Sequence, residues 1–235
     1  MVHAKQPNPS LHAQARVILL LGAPGSGKGT QSSLLTSRFG IPALSTGAML
    51  RDEAKQATPA GFRLRRIMAT GALVDDEIVC EVVTARILTL SASGSLILDG
   101  FPRTVNQARE LDRLLESLGM PRPLVVHLDV PHQTLLRRLA ARRQCAKCGA
   151  IYNLASNPST RGSRCQVDGG ALVERDDDSQ GVIARRLEEY EAETLPVVDY
   201  YRSRDYRRVE GDRAPLEIAA DVLEIVAFPA TAVAA

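Results

Sequence analysis

A glycine-rich turn followed by a lysine is the first stretch whose residue types suggest chemistry. Residues 22–28 are GAPGSGK, which has the spacing G-x-x-x-x-G-K between an apolar run and a segment of helical spacing. Glycines let backbone N–H groups turn toward phosphate oxygens, the helix start adds positive potential, and Lys28 supplies a mobile charge. The sequence therefore predicts a phosphate-binding loop. Gly29 follows where the generic loop has Ser or Thr for magnesium, so we expect Mg²⁺ to be held by phosphates and by waters that Asp99 orients.

Three cysteines and one aspartate form a second chemical pattern. Cys145, Cys148, Cys165 and Asp168 are spaced C-x2-C-x16-C-x2-D, so two short turns can converge on one ion. Three thiolates favour zinc, and a carboxylate oxygen is an acceptable fourth ligand. With all four positions supplied by protein, the site is predicted to be structural. The alternative is a set of thiols without metal.

Composition limits the classes of protein to which the chain can belong. Its 235 residues are 45% hydrophobic and 24% charged with a net charge of +2, which predicts a globular protein and disfavours a strongly basic nucleic-acid binder. A nucleic-acid-binding ATPase is further disfavoured because only 4% of the residues are aromatic. Neither a signal peptide nor an apolar run of membrane-spanning length is evident, so we expect a cytoplasmic protein with no membrane and no nucleic-acid partner.

The elements that would position these residues alternate between strand and helix. Apolar runs at RVILLLGAPG, SLILDG and LVVHLDV are each followed by a helical stretch, which predicts an α/β fold with a parallel sheet covered on both faces. Two segments interrupt this alternation and are interpreted as inserts. A long helix, a last strand at YRRVEG and a last helix follow them. The predicted organisation is a flexible leader at 1–15, a core of 16–44, 74–143 and 176–235, a first insert at 45–73, and a second insert at 144–175.

Several motifs in one order resemble a known family. GAPGSGKGTQ, STGAMLR, LDGFPRT, RDDD and the cysteine insert are similar to the long form of the adenylate kinase family, from Arg16 to about Ala227. The resemblance implies a five-stranded parallel sheet of the P-loop NTPase type and the reaction MgATP + AMP ⇌ MgADP + ADP. It also implies that the first insert binds the nucleoside monophosphate and that the second is a mobile lid stiffened by Zn²⁺. Its partners would be ATP and AMP, with Mg²⁺ accompanying ATP, and the protein would be a monomer.

The resemblance also implies three overlapping sets of site residues. For ATP they are Gly25, Ser26, Gly27, Lys28, Gly29, Thr30, Arg138, Arg142 and Tyr152. For AMP they are Thr46, Gly47, Arg51, Val74, Gly100, Arg103, Gln107, Arg175 and Arg186. The catalytic set is Lys28, Asp99, Arg103, Arg138, Arg142, Arg175 and Arg186, with Asp177 and Asp178 anchoring the arginines. Arg138 and Arg142, four residues apart, are expected on one helix face, and Gln107 is expected to contact the adenine edge.

One residue departs from the family pattern. Ala48 in STGAMLR stands where the family has an aspartate that orients magnesium-bound water, and Asp52, one turn later, is a candidate substitute. We expect a working enzyme with weakened use of magnesium. The alternatives are an inactive relative, a nucleotide-binding regulator, or a kinase whose acceptor is UMP or CMP. Cys80 is interpreted as a core residue, and His127 and His132 are assigned no chemistry.

Overall fold

The central element is a parallel sheet of five strands. The computed structural model describes residues 15–90 and 94–227, so the predicted leader, apart from Ala15, and the tail from Phe228 lie outside the described residues. The strands of the described residues are β1 Val17–Leu21, β2 Ala43–Ser45, β3 Leu96–Asp99, β4 Leu124–Asp129, β5 Arg142–Cys145, β6 Ile151–Asn153, β7 Leu172–Val173 and β8 Tyr206–Glu210. Five of them form the central sheet in the order β2-β3-β1-β4-β8, and every pairing in it is parallel.

Helices cover both faces of this sheet. The helices are α1 Lys28–Phe39, α2 Thr46–Ala54, α3 Pro59–Ala69, α4 Asp76–Leu90, α5 Val105–Ser117, α6 His132–Ala140, α7 Gln180–Glu189, α8 Leu195–Tyr201 and α9 Pro215–Ala227. On one face Leu19 and Leu98 pack with Tyr201 from α8, and on the other Ile18 packs with Val222 from α9. All five residues of β1 are buried, which explains why their sequence is a continuous apolar run. The predicted α/β fold is confirmed.

The sheet sets the carboxyl ends of its strands at one edge. Leu19 of β1 lies opposite Leu98 of β3 and Val125 of β4, and the three strands run in the same direction. The loops after β1, β2 and β3 therefore leave the sheet on the same side. In open parallel sheets this edge is where ligands bind.

The first insert consists of two helices packed against each other. Leu50 of α2 and Leu64 of α3 are buried in the same apolar cluster as the core. The α3 helix begins with Thr58, whose hydroxyl accepts a hydrogen bond from the Gly61 N–H, and Pro59 takes the first helical position. The guanidinium of Arg65 donates to the Ala54 carbonyl oxygen and so joins the two helices.

The second insert is a small antiparallel sheet in the order β6-β5-β7. Its buried cluster contains only Cys145, Tyr152 and Cys165. The expectation that Arg138 and Arg142 share a helix face is wrong, because α6 ends at Ala140 and Arg142 is the first residue of β5. The backbone of Arg142 pairs with that of Asn153 in β6, and this pairing makes Arg142 part of the sheet of the insert rather than of α6.

The predicted long helix after the second insert is divided into several pieces. A 3₁₀ turn at Asp176–Asp178 precedes α7, and a π-helical segment, Tyr190–Thr194, separates α7 from α8. Pro196 at the start of α8 lacks an N–H and cannot continue the regular helical bonding, and the Leu195 N–H instead donates to the Tyr190 carbonyl oxygen. Across the described ranges, no helix combines the length and the apolar character needed to span a membrane.

Candidate active site

The loop between β1 and α1 has the backbone of a phosphate-binding loop. Gly22, Gly25 and Gly27 all have positive φ angles, of 142°, 84° and 101°. A side chain at Gly22 would also collide, because its Cβ would lie 2.6 Å from the Leu128 carbonyl oxygen. Gly22, Gly25 and Gly27 are thus required by backbone shape, and Gly22 also by its close packing against β4.

Lys28 lies folded over this loop. Its Nζ donates to the carbonyl oxygens of Gly22 (2.7 Å) and Ala23 (2.9 Å). Burial lowers the pKa of Lys28 to about 8, helped by the charges of Arg103, Arg186 and Arg142 and opposed by the carboxylate of Asp99. The ammonium is therefore charged at neutral pH and held by carbonyl dipoles that an arriving phosphate can replace.

Asp99 lies beside the position where a generic loop carries a hydroxyl. A Cβ built on Gly29 would be 3.5 Å from Asp99 Oδ2. Asp99 is the last residue of β3, whose neighbour in the sheet is β1, so the two loops meet at this point. The carboxylate that the sequence analysis selected for orienting water is therefore next to the residue that lacks the hydroxyl.

A pocket opens between the first insert and the core. Its empty volume is about 570 Å³, a figure that includes open solvent at its mouth. Among its lining residues are Thr46, Gly47, Arg51, Val74, Gly100, Arg103 and Gln107, all predicted for AMP. The hydroxyl of Thr46 is buried and has no hydrogen-bond partner in the part of the chain that the structure describes. A ligand in this pocket would meet an unsatisfied polar group.

Arg51, Arg103 and Arg186 line this pocket, and the charges of Arg142 and Arg175 are close enough to lower the pKa of Arg51. We call these five residues the arginine cluster. Arg51 and Arg103 approach each other over Gly47, where a Cβ would lie 3.1 Å from Arg51 Nη1 and 3.7 Å from Arg103 Nη2. Burial and the Arg175 charge lower the pKa of Arg51 to about 9, which leaves it protonated at neutral pH. Burial also lowers the pKa of Arg103.

Two aspartates hold the remaining arginines of the cluster. Arg175 donates to both oxygens of Asp177 (2.9 and 2.7 Å), and Arg142 donates through two nitrogens to Asp178. Arg186 Nη1 lies 3.1 Å from a carboxylate oxygen of each aspartate. Burial acts to raise the pKa of Asp177, but Arg186 and Arg175 outweigh it and the pKa is lowered to about 2. The aspartates thus anchor the arginines as the sequence analysis expected.

Three predicted residues lie away from the arginine cluster. Arg138 donates to the Gly211 carbonyl oxygen at 2.7 Å, and its Nη1 lies 3.5 Å from the Ser26 carbonyl oxygen in the phosphate loop. Thr30 is exposed on α1. Tyr152 is buried in the second insert, where its hydroxyl lies 3.2 Å from Cys165 Sγ and accepts from the Gln166 N–H.

The cysteines and Asp168 come together in the second insert. Their ligand atoms all lie within 4.8 Å of one another. Cys148 Sγ and Cys165 Sγ are 3.6 Å apart, close to the ~3.8 Å expected for two sulfurs bound to one tetrahedral zinc. The Gly170 N–H donates to Asp168 Oδ1 at 2.9 Å and fixes the carboxylate toward Cys145. The donor set and spacing fit a zinc ion.

The candidate substitute for the missing family aspartate faces elsewhere. Asp52 is 72% exposed and forms its ion pair with Lys55 at 2.8 Å. Ala48 is exposed on the same helix. The structure therefore places a carboxylate near the phosphate loop at Asp99 but gives Asp52 a different partner.

Residues that no sequence motif indicated hold the predicted ones in place. Asp76, at the start of α4, accepts hydrogen bonds from Thr104 and Gln107. Thr194, in the π-helical segment, donates to the Arg103 carbonyl oxygen at 2.9 Å. Thr104 could have been found as the cap of α5, since Thr followed by helical spacing is typical of a helix start. No local pattern indicates that Asp76 contacts Gln107 or that Thr194 contacts Arg103.

Known proteins are similar in sequence to this chain over most of its length. A family model described as adenylate kinase matches residues 20–206. An adenylate kinase of Caldicellulosiruptor bescii is 43% identical over 187 residues, which cover 80% of this chain and 87% of the relative. One of Syntrophomonas wolfei is 41% identical over 208 residues (88% and 97%), and one of Thermodesulfovibrio yellowstonii is 44% identical over 184 residues (78% and 86%). The family match includes the phosphate loop, both inserts and the arginine cluster.

Proposed function

The chain belongs to the adenylate kinase family and is an ATP:AMP phosphotransferase, and we propose that the transferred phosphoryl group passes between the phosphate loop and the arginine cluster. The observation that carries this assignment of the site is the excess of buried cations there. Lys28 and five arginines are accompanied by three carboxylates, those of Asp99, Asp177 and Asp178. Such a site attracts anions, and two nucleotide phosphates would complete its charge balance.

The reaction itself needs alignment and neutralisation of charge. The attacking group is a phosphate oxygen of AMP, which is already anionic at neutral pH, so no general base is required. The transferred group carries its charge on its outer oxygens, and planar guanidinium groups can bind two of these at once. The positive charges of Arg142 and Arg186 are close enough to Lys28 to lower its pKa, and these two arginines are proposed to bind the transferring group.

AMP is proposed to occupy the pocket beside α2. The Thr46 hydroxyl and the Gln107 amide would contact the base, while Arg51 and Arg103 would hold the phosphate. Apolar side chains such as Leu50 and Val79 also line the pocket and suit a flat ring.

ATP is proposed to place its phosphates on the loop at 22–28 with Mg²⁺ bound to them. Gly29 offers no side-chain oxygen, so the ion would depend on phosphate oxygens and on water held by Asp99. When bound, the ion neutralises phosphate charge. Arg138, whose Nη1 lies 3.5 Å from the Ser26 carbonyl oxygen of the loop, is proposed to stack on the adenine of ATP.

The second insert is proposed to be a lid with a structural zinc ion held by Cys145, Cys148, Cys165 and Asp168. The ion would supply rigidity that three buried side chains cannot. Tyr152 would support the lid from inside. A rigid lid can close over ATP as one body and exclude water from the transferring group.

A coupled assay of ADP formation tests the proposal. The purified chain is supplied with MgATP and with AMP, GMP, UMP or CMP, and AMP should give the highest kcat/KM. Arg186→Lys should lower kcat about a hundredfold or more, because a single ammonium cannot replace the planar fork. Arg113→Lys is the matched control, since Arg113 is 69% exposed and pairs only with Glu110 among the ion pairs of the described residues.

Two outcomes would contradict the proposal. The first is no ADP from MgATP and AMP, and the second is an Arg186→Lys variant as active as the Arg113→Lys control. Sedimentation of the purified protein tests the expected monomer.

A further inference from the structure

We propose that Asp76 is a positioning residue that sets the choice of nucleobase by holding the Gln107 amide in one orientation. The inference rests on the proposed function, in which Gln107 contacts the base of the acceptor. Asp76 does not line the pocket and is not expected to touch the nucleotide. Its effect would be exerted through Gln107.

Gln107 has two hydrogen bonds that fix which end of its amide is oxygen. Its side chain is buried, with 2% exposure, and it lines the pocket. Nε2 donates to Asp76 Oδ1 at 2.6 Å, and Oε1 accepts from the Arg103 N–H at 2.8 Å. Asp76 is held in turn, because its Oδ2 accepts from the Thr104 hydroxyl at 2.7 Å.

Neither neighbour can accept the reversed amide. A carboxylate only accepts hydrogen bonds, so it requires the nitrogen of Gln107 on its side. A backbone N–H only donates, so Arg103 requires the oxygen. If the amide were flipped, its oxygen would face the Asp76 carboxylate and its NH₂ group would face the Arg103 N–H. Neither contact is a hydrogen bond, and unpaired polar groups are costly in a buried site. The amide therefore keeps one N–H and one oxygen lone pair for a ligand, in a fixed order.

The fixed order distinguishes amino from oxo bases. The edge of adenine offers an N–H from its 6-amino group and an acceptor at N1, whereas hypoxanthine offers an acceptor at O6 and an N–H at N1. A freely turning amide could serve both edges by flipping. An amide held by Asp76 can serve only one, and in an enzyme that uses AMP this is the amino edge.

The test compares AMP with IMP as acceptors, because the two differ only at this edge of the purine. In the wild-type protein kcat/KM for AMP should exceed that for IMP by about a hundredfold or more, as expected for a site whose polar groups are left unpaired by the wrong base. In Asp76→Asn, residue 76 can face either end of the Gln107 amide. The AMP:IMP ratio should then fall about tenfold, while the KM for ATP stays unchanged.

Asp75→Asn is the matched control for this variant. Asp75 is the adjacent acid, but its carboxylate pairs with Arg63 at 2.6 Å and both side chains are more than half exposed. Its AMP:IMP ratio should equal that of the wild type. In a Gln107→Leu background, Asp76→Asn should cause no further change in the ratio, because the residue through which it acts is gone.

The results separate this inference from the proposed function. If the wild type makes no ADP from AMP, the proposed function fails. If it makes ADP but accepts IMP within about tenfold of AMP, the amide is not held, and the inference fails without need of any variant. The inference also fails if Asp76→Asn lowers both acceptors equally, or if it still narrows the ratio in the Gln107→Leu background.

Discussion

Replacing Asp178 by asparagine tests how much the aspartates contribute to the arginine cluster. The Asp178 side chain is fully buried, and its carboxylate accepts hydrogen bonds from Arg142 and Arg186. Asn keeps nearly the same shape and one acceptor oxygen, but it removes the charge and turns an NH₂ group toward a guanidinium. The variant therefore isolates the electrostatic contribution.

The size of the effect follows from the burial of the three groups. Breaking a buried ion pair by removing one partner costs about 3–5 kcal/mol. Arg142 and Arg186 keep 15% and 14% of their side-chain surface exposed, so water can replace part of the lost interaction. We therefore expect the lower end, about 3 kcal/mol, which lowers the Tm of a chain of this length by about 6–12 °C.

Calorimetry or circular dichroism of the variant measures this shift, and the coupled assay measures the accompanying loss in kcat. The matched control is Asp199→Asn, since Asp199 is 68% exposed and pairs with Arg202 one turn away. Its Tm should stay within about 2 °C of the wild type, as for other exposed ion pairs. If the Tm of Asp178→Asn equals that of Asp199→Asn, the reasoning about the buried aspartates is refuted.

Four further outcomes are expected. Because burial lowers the pKa of Lys28 to about 8, its ammonium loses the proton above that pH, and kcat/KM for ATP should fall from about pH 8 upward; a fall only near pH 10 would contradict this. Ala48→Asp should raise turnover at low magnesium, with Ala48→Asn as the uncharged control, and equal rates for the two would refute a role for the missing carboxylate. Native mass spectrometry should show one zinc ion in protein purified without chelator, and a chelator should lower the Tm. The Cys148→Ser variant should lose the ion, whereas the control variant Cys80→Ser, in α4, should keep it. Thr194→Val removes the hydroxyl that donates to the Arg103 carbonyl oxygen. The loss of this hydrogen bond, about 1 kcal/mol, should raise the KM for AMP several-fold and leave the KM for ATP unchanged. Equal changes in the KM of both nucleotides would indicate general damage instead.

The sequence predicted the features that depend on local patterns. The phosphate loop could be recognised because its glycines, lysine and flanking elements are contiguous, and three core strands because they are buried on both faces. The cysteine spacing predicted a cluster that the structure assembles. β2 was not located, because three residues with one buried side chain give no strand signal.

Features that depend on distant contacts could not be predicted in this way. Arg142 belongs to a strand because it pairs with Asn153, and that pairing is not visible in the helical spacing of the preceding residues. The break between α7 and α8, by contrast, has a local cause in Pro196, which the helical spacing of the surrounding residues concealed. The contact between Asp76 and Gln107 joins residues 31 positions apart.

The way in which the aspartates hold the arginines leaves donors for a further ligand. Arg142 binds Asp178, and Arg175 binds Asp177, in each case through Nε and one terminal nitrogen. A guanidinium group has five N–H donors, so a phosphate could be added to either arginine without displacing its carboxylate. Under the proposed function, the same two carboxylates would keep these guanidinium groups oriented in the empty enzyme and in both nucleotide-bound states.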